Sequence, residues 1–287
     1  MTQPGRTAAD DGADHDELER LRAEARDLRT RARAHALIAQ AQGLLQERYA
    51  LPDADSAFAL LRLASQRFNI KMRTLSEVLV AAPRPAARDE LWFPRRARLA
   101  EPVLSFPAAR RTGPGTRGGV LAAVLSQTLA VIGTDMGNVQ LADRVRGGLR
   151  IEKHTGHPAD FVDFFGHVGE EGTSCAKAAR DVAQVTVRDV ESDPVFSEPA
   201  REAILASGSR AVHSVPLTTS AGLCVGMVSA HVERTMATPA KVQLKALEVM
   251  GTEAGRWLAW HDRTVVLDAL EHLHALGRSN HGRRIAR

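Results

Sequence analysis

Aromatic and basic side chains are interspersed in one short part of the chain, between residues 48 and 73. Tyr49 is the only tyrosine of the 287 residues, and Phe58 and Phe68 follow it. The basic side chains around these rings are Arg48, Arg62, Arg67, Lys71 and Arg73. Proteins that read RNA loops stack unpaired bases on aromatic rings and hold phosphates with Arg or Lys. The segment could therefore bind RNA, although the same pattern also suits core aromatics with ordinary surface charges.

A second candidate group is the thiol of Cys175, which follows Gly172-Thr-Ser at a predicted helix N-terminus. Free amides and the helix dipole at that position would lower the thiol pKa and favour the reactive thiolate. Cys175 is therefore either a redox-sensing thiol or an inert residue inside the fold. Cys224, on a predicted central strand, is expected to be core, and two cysteines cannot form a disulfide framework.

Two histidine pairs, His154 with His157 and His272 with His274, invite a metal-site interpretation. Neither pair has a third ligand nearby, and residues two apart on a helix do not share a face. The sequence also contains no glycine-rich phosphate loop and no nucleophile motif. We therefore expect no metal site, no cofactor and no catalytic residue, and the chain is not expected to be an enzyme.

Three helices are predicted to position the aromatic and basic segment. The first ends at Tyr49, and Leu51-Pro52-Asp53 breaks it, with Asp53 capping a second helix that reaches Phe68. A capping box, Thr74 to Glu77, opens a third helix that runs through Val80. The first helix extends back to Glu17 through an apolar seam formed by Leu18, Leu21, Ala25, Leu28 and Ala32. This extension is either a short coiled-coil dimer seam or a solvated helix.

The rest of the chain divides by composition. Residues 1–16 are predicted to be disordered, residues 17–82 form the helical module, and residues 83–114 form a Pro/Arg-rich linker. Trp92 and Phe93 within the linker are expected to pack on a neighbouring module. Residues 115–276 predict an α+β domain with one antiparallel sheet flanked by helices, ending in a long helix from Thr238 to about Leu276. Residues 277–287 are predicted to be a basic, disordered tail.

Composition and charge exclude several classes of protein. With 44% hydrophobic and 25% charged residues the chain can fill folded cores, and no stretch approaches the roughly 20 apolar residues that span a bilayer. A cytoplasmic protein is the default expectation, because no secretion signal is evident. Residues 1–112 carry 19 basic and 15 acidic side chains, so the net charge of +4 falls entirely in that part. This mild excess agrees with an RNA partner but does not identify one.

Residues 37–80 resemble the ANTAR domain, a three-helix RNA-binding module of bacterial transcription antiterminators. The matching positions are Gln40 to Gly43, Ala57-Phe58, Leu61-Arg62, Ser65-Gln66, Asn69, Lys71 and Arg73. One position departs from the family, which usually has Lys where this chain has Gln42. By this resemblance the RNA-binding residues would be Ala41, Gln42, Gly43, Tyr49, Ala57, Phe58, Arg62, Ser65, Gln66, Lys71 and Arg73. The resemblance implies a homodimer that binds stem-loops in nascent mRNA and prevents a terminator hairpin from forming.

Residues 115–265 resemble a GAF domain, a sensor fold for small molecules or proteins. The segments that carry the resemblance are Gly172 to Cys175, Val185 to Asp189, Asp193 to Phe196, Ser214 to Leu217, and Gly222 to His231. We expect the signal, an unknown small ligand or a signalling protein, to act near Phe165, Cys175, Val185 and Asp189. The fold does not identify the ligand, because GAF domains bind very different molecules.

The two resemblances together imply an RNA-binding antitermination regulator under the control of a sensor domain. The alternative is a protein-interaction or redox- or ligand-sensing signalling protein whose ANTAR-like fold does not bind RNA. The domain order is the reverse of the usual one, in which the GAF domain comes first. The sequence therefore predicts that the long helix leaving the GAF-like domain does not lead into the RNA-binding module.

Overall fold

The computed structural model describes residues 20–21, 35–85, 89–111 and 115–285. The N-terminal region and most of the predicted seam, including Leu18, Ala25, Leu28 and Ala32, lie outside these residues. Leu21 is helical and 48% exposed. The predicted coiled coil and the predicted disorder of residues 1–16 therefore stay predictions. Within the described part, a helical module is followed by an α+β domain, and this confirms the predicted fold class.

The helical module contains α1 (residues 35–49), α2 (Ala54–Arg67) and α3 (Met72–Ala81). Every fourth residue of α1 is buried, at Ala41, Leu45 and Tyr49, because this spacing places the side chains on one face. Asp53 caps α2 as predicted, since its carboxylate accepts the Ser56 backbone N–H at 2.7 Å. The three predicted helices are confirmed.

The start of α3 differs from the prediction. The helix begins at Met72 after Lys71, and the predicted capping residue Thr74 is buried inside the first turn. The preceding turn explains the earlier start: Ser65 Oγ donates to the Ile70 carbonyl at 2.6 Å, and Asn69 adopts a positive φ of 50°. These features close the α2–α3 connection within four residues. The Thr74–Glu77 capping box is therefore wrong.

The α+β domain is built on one antiparallel sheet with the strand order β3-β2-β1-β6-β5-β4. Its strands are β1 (Met136–Ala142), β2 (Leu149–Thr155), β3 (His167–Val168), β4 (Val185–Val187), β5 (Ala211–Thr218) and β6 (Cys224–Val232). Its helices are α4 (Pro107–Arg111), α5 (Arg117–Ile132), α6 (Ala159–Phe164), α7 (Ser174–Asp181), α8 (Glu198–Ala206) and α9 (Lys241–His261). The prediction missed α4 and β3, which are short.

The two faces of the sheet build separate cores. Val139 and Leu141 of β1 pack with α5 and α9, in a core that contains Trp257. The opposite face packs with α6, α7 and α8 through residues such as Phe161 and Ile204. Because side chains alternate along a strand, the intervening residues of β1, Asn138 and Gln140, lie on this second face.

The C-terminal helix does not end with the α+β domain. After α9, a π-helical turn (Asp262–Val266) leads into α10 (Leu267–Ile285). Val266, Ala269, Leu270 and Leu273 are fully buried in the core of the helical module, because their spacing continues one apolar stripe. Residues 266–276, assigned to the GAF-like domain from the sequence, therefore complete the helical module. The predicted disordered tail is helical as far as Ile285.

The predicted linker is bound along α9 and α10, and we call its residues 89–105 the strap. The strap runs antiparallel to the two helices: the Trp92 and Phe93 N–H groups donate to the Glu271 carboxylate at 2.8 Å each. Farther along, Trp260 Nε1 donates to the Leu99 carbonyl at 2.8 Å, and the Ser105 N–H to Glu253 at 2.7 Å. The strap is therefore packed on folded helices, and the expected packing of Trp92 and Phe93 is confirmed.

Candidate nucleic-acid interface and sensor pocket

One face of α2 presents an exposed aromatic ring beside a basic side chain. Phe58, Arg62 and Gln66 follow at spacings of four, so they lie above one another on the same side of the helix. Phe58 is 39% exposed, although a phenylalanine is ordinarily buried. Within the described residues Arg62 has no ion-pair partner. This face can therefore offer a ring for stacking and a free guanidinium for a phosphate.

One residue of α1 reaches this face. Gln42 Nε2 donates to the Ala54 carbonyl at 2.9 Å, so its side chain extends to the first turn of α2. Gly43 is exposed, and a Cβ placed on it would meet nothing within 4 Å. Gly43 is therefore open surface of α1 and is not required for helix packing. We define the α1–α2 face as Gln42, Phe58, Arg62 and Gln66.

Four of the residues expected to contact RNA instead make contacts within the helical module. Ala41 and Ala57 are fully buried core residues, and the Ser65 hydroxyl caps the turn before α3. Tyr49 is buried against α10: its Oη lies 2.7 Å from His274 Nδ1, and its ring packs against Gly277. Burial raises the pKa of Tyr49 to about 12. In this arrangement Ala41, Ala57 and Tyr49 do not lie at the surface, because the core and α10 cover them, whereas Ser65 is half-buried and bonded to the turn.

The last two expected contacts, Lys71 and Arg73, face the α+β domain. Lys71 Nζ lies 3.0 Å from Glu152 Oε2, and an Arg73 guanidinium nitrogen lies 3.8 Å from Asp143 Oδ2. The structure thus brings together four of the predicted contacts on the α1–α2 face, and Gly43 is exposed elsewhere on α1. It places Lys71 and Arg73 in ion pairs with the other domain.

The α+β domain encloses a cavity of about 20 Å³ between the sheet and helices α6–α8. Its lining residues are Asn138, Gln140, Phe161, Phe165, Thr173, Ser174, Cys175, Phe196, Ile204, Ser229 and His231. A cavity of this size has room for about one water molecule. Any larger ligand would require the helices to move away from the sheet.

The floor of the cavity carries buried hydrogen-bonding groups without partners. Asn138 Oδ1 and Gln140 Oε1 accept no hydrogen bond within the described structure, and the two residues are 4% and 1% exposed. Both nitrogens of nearby His157 are also unsatisfied; its ring stacks on Phe161 at 3.7 Å. Burial, and then the charge of His154, lower the pKa of His157 to about 4. The pocket is therefore polar but uncharged.

The predicted sensor residues divide between this pocket and the surface. Phe165 and Cys175 line the cavity. Val185 is on the edge strand β4, and Asp189 pairs with Arg210 at 3.0 Å, so neither faces the cavity. The prediction missed Asn138 and Gln140, although polar residues at a spacing of two in an apolar strand signal a polar group on the buried face.

Cys175 lies at the predicted helix N-terminus, but its thiol pKa is not lowered as predicted. It lies in the first turn of α7, next to the cap residue Thr173, as expected. Burial nevertheless raises the pKa of the thiol, and the contacts with Thr173 and the backbone amides only partly oppose this. The expected low thiol pKa is therefore wrong, because desolvation outweighs the helix terminus. Among the described residues, no cluster of three or more potential metal ligands occurs.

Comparisons with known proteins agree with this division of the chain. Residues 26–80 match the ANTAR domain family, and the match begins in a segment outside the described residues. No curated protein matches the chain. No helix in the described ranges is long and apolar enough to cross a membrane.

Solved structures similar to the C-terminal part include GAF domains. The GAF domain/HD domain protein from Geobacter sulfurreducens is 17% identical, with coverage of 52% of this chain and 96% of that chain and a TM-score of 0.43. The GAF domain of Acinetobacter phosphoenolpyruvate-protein phosphotransferase is 14% identical, with coverage of 54% and 92% and a TM-score of 0.43. Free methionine-R-sulfoxide reductase from Neisseria meningitidis is 19% identical, with coverage of 58% and 99% and a TM-score of 0.37. The chain is thus similar to the ANTAR family at residues 26–80 and, in its C-terminal part, to these solved GAF domains.

Proposed function

We propose that the chain is an RNA-binding transcription antitermination regulator. Its ANTAR domain binds stem-loops in nascent mRNA, and its GAF-like domain controls that binding. The observation that carries this proposal is the α1–α2 face, where an exposed ring, a free arginine and two amides lie together within the ANTAR match. An exposed phenylalanine next to an unpaired arginine has no evident role in the fold of the described residues.

Each group on this face has a task in RNA binding. The Phe58 ring stacks an unpaired loop base, which is worth roughly 1–3 kcal/mol in single-strand binders. Arg62 holds a phosphate, and Gln66 hydrogen-bonds a base edge. Gln42 stands where the family usually has lysine. Its neutral amide donates to the Ala54 carbonyl and supplies no positive charge to the RNA backbone. Open Gly43 allows the RNA backbone to approach α1 closely.

The cavity in the GAF-like domain is the proposed site of the signal. Its free acceptors, Asn138 Oδ1 and Gln140 Oε1, favour an uncharged molecule with N–H or O–H donors, and its phenylalanine walls favour a flat one. Because the cavity has room for only about one water, such a molecule binds a more open state of the domain. A ligand that prefers one state shifts the population toward it, and this is how the signal would act.

RNA binding tests the proposal directly. The probe is a pool of RNA hairpins with randomised loops, from which bound molecules are recovered and sequenced, and affinities are then measured at fixed salt. Phe58→Ala should weaken binding about 5- to 150-fold, since losing a stacked base costs roughly 1–3 kcal/mol. Arg62→Ala should also reduce the slope of log affinity against log salt by about 0.7, the value of one phosphate on a single strand.

Arg67→Ala is the matched control, because it removes the same charge from the same helix. Arg67 is close to the Phe68 ring, 5.9 Å from its centroid, and away from the α1–α2 face. This control should bind the selected hairpins as the wild type does. Equal binding by Phe58→Ala, Arg62→Ala and the control would contradict the site, and no binding by the folded wild type would contradict the function.

The alternative function is a signalling protein whose ANTAR fold does not bind RNA. The observation that favours it is the pairing of Lys71 and Arg73 with carboxylates of the GAF-like domain. The raised pKa of the buried Cys175 thiol argues against redox sensing as the signalling activity of this alternative. Under either function we propose a cytoplasmic homodimer without catalytic activity. Ultracentrifugation at several protein concentrations tests the dimer.

A further inference from the structure

A ring of charged side chains joins the ANTAR domain to the GAF-like domain. Arg73 of α3 lies 3.0 Å from Glu77 Oε1 and 3.8 Å from Asp143 Oδ2, in the turn after β1. Arg150 of β2 lies 3.4 Å from the same Glu77 oxygen and 3.7 Å from the same Asp143 oxygen. Each arginine thus shares both carboxylates with the other, across the two domains.

A second pair extends this ring. Glu152 of β2 pairs with Arg150 through one oxygen and with Lys71 through the other, at 3.0 Å. We define the junction ring as Lys71, Arg73, Glu77, Asp143, Arg150 and Glu152. It contains three cations and three anions; the Arg73 side chain is 28% exposed in it, whereas the Lys71 side chain is 72% exposed at its edge.

The carboxylates of the GAF-like domain are buried in this junction. The side chains of Asp143 and Glu152 are only 2% and 4% exposed. Burial works to raise the pKa of Glu152, but Arg150 and Lys71 hold it below its usual value, so the group stays ionised. A buried carboxylate that loses its cation is left uncompensated, unlike a solvated surface pair. Arg150 also pairs with both carboxylates, so each keeps one cation when Lys71 or Arg73 leaves, and the junction can open without leaving a buried charge unpaired.

The same two cations are positions at which the ANTAR match expects RNA contacts. A phosphate would compete with Glu152 for Lys71 Nζ, whose hydrogen bond Glu152 accepts at 3.0 Å, and with the Asp143 charge 3.8 Å from the Arg73 guanidinium. Arg73 is largely covered, with 28% of its side chain exposed, so it cannot bind a phosphate without leaving the ring. RNA binding through these groups and closure of the junction ring are therefore competing states.

We propose that the junction ring is an autoinhibitory contact, in which Asp143 and Glu152 compete with RNA phosphates for Arg73 and Lys71. This inference rests on the proposed function and specifies how it is regulated. The hinge is the π-helical turn Asp262–Val266, an irregular segment between α9 and α10. Because α10 packs in the core of the ANTAR domain, opening at this turn separates α3 from β2 and keeps that core intact.

The test variant is Asp143→Asn/Glu152→Gln in the full chain. An amide oxygen at position 143 can still accept the Val145 and Arg146 N–H groups that fix the turn. The probe is the same pool of RNA hairpins with randomised loops, at fixed salt. We expect this variant to bind about 5- to 150-fold more tightly than the wild type, the usual range of coupling between sites.

The matched control is Glu191→Gln/Glu198→Gln. It changes the net charge equally and also removes two carboxylates that pair with arginines of the GAF-like domain, Arg210 and Arg201. The control should bind RNA as the wild type does. A gain as large as that of the test variant would show a general charge effect and would overturn the inference.

A second set of variants tests whether the tighter RNA binding depends on Lys71 and Arg73. Adding Lys71→Gln and Arg73→Gln to the test variant should remove the gain, and a gain that persists overturns the inference. If the double variant does not fold, Glu152→Gln alone should give a smaller gain through Lys71. Equal RNA binding by wild type and test variants overturns this inference alone, whereas no RNA binding by any form overturns the proposed function with it.

Discussion

Leu270 tests whether α10 is a structural part of the ANTAR domain. Its side chain is fully buried in the core that also contains Leu45 and Leu61. Leu→Ala substitutions at buried sites cost about 2–5 kcal/mol, since transfer free energy is lost and a cavity remains. We expect Leu270→Ala to lower the free energy of opening of α1–α3 by about 3 kcal/mol, which accelerates amide exchange there roughly 150-fold.

Hydrogen exchange resolved by peptide separates the two domains. Amides of α2 and α3 should exchange faster in Leu270→Ala, while those of β5 and β6 keep their wild-type rates. Leu63→Ala is the control, because Leu63 is on α2 but 46% exposed, and exposed substitutions change stability by about 0.5 kcal/mol or less. If Leu270→Ala accelerates exchange in the sheet and leaves α1–α3 unchanged, α10 belongs to the GAF-like domain and our reasoning is refuted.

Three further predictions concern buried titratable groups. The ultraviolet absorbance of phenolate reports Tyr49 alone and should appear with a midpoint near pH 12. The stability that the neutral phenol contributes should be lost as the pH rises from 10 to 12. A midpoint near pH 10 would contradict the burial of Tyr49 by α10. Cys175 should resist a thiol reagent at neutral pH and react after denaturation, because burial raises its pKa; rapid labelling of native protein would restore the redox interpretation. Burial lowers the pKa of His157 from 6.5 to about 4, so the melting temperature should fall as the pH falls through that range. The fall should be smaller in His157→Gln. Equal slopes of melting temperature against pH in the two proteins would show that His157 is not buried as a neutral group.

Local signals explain why most elements could be predicted. Asp53 stops one helix and caps the next through its own side chain, so the sequence alone identifies that boundary. The helix Arg117–Ile132 carries such signals at both ends, because Thr116 caps its start and Gly133 ends it in a left-handed conformation. Such features depend on neighbours within a few residues.

The site could be predicted only where exposure follows from helix periodicity. Phe58, Arg62 and Gln66 share a face by spacing alone, and the structure leaves that face open. Tyr49 is covered by α10 and contacts His274, 225 positions away, and Lys71 is paired with Glu152, 81 positions away. No local pattern contains these partners, so the buried or paired state of Tyr49 and Lys71 required the tertiary structure.

The path of α10 changes the meaning of the domain order. The sequence predicts that the helix leaving the GAF-like domain does not lead into the helical module. This prediction is wrong, because α10 returns and supplies Leu270 and Leu273 to the core of that module. The strap spans the same junction, since Glu271 of α10 binds its start and Glu253 of α9 binds its end. A displacement of α9 would therefore reach the helical module through two connections. Under the proposed function, the reversed domain order thus keeps a direct route from the GAF-like domain to the α1–α2 face.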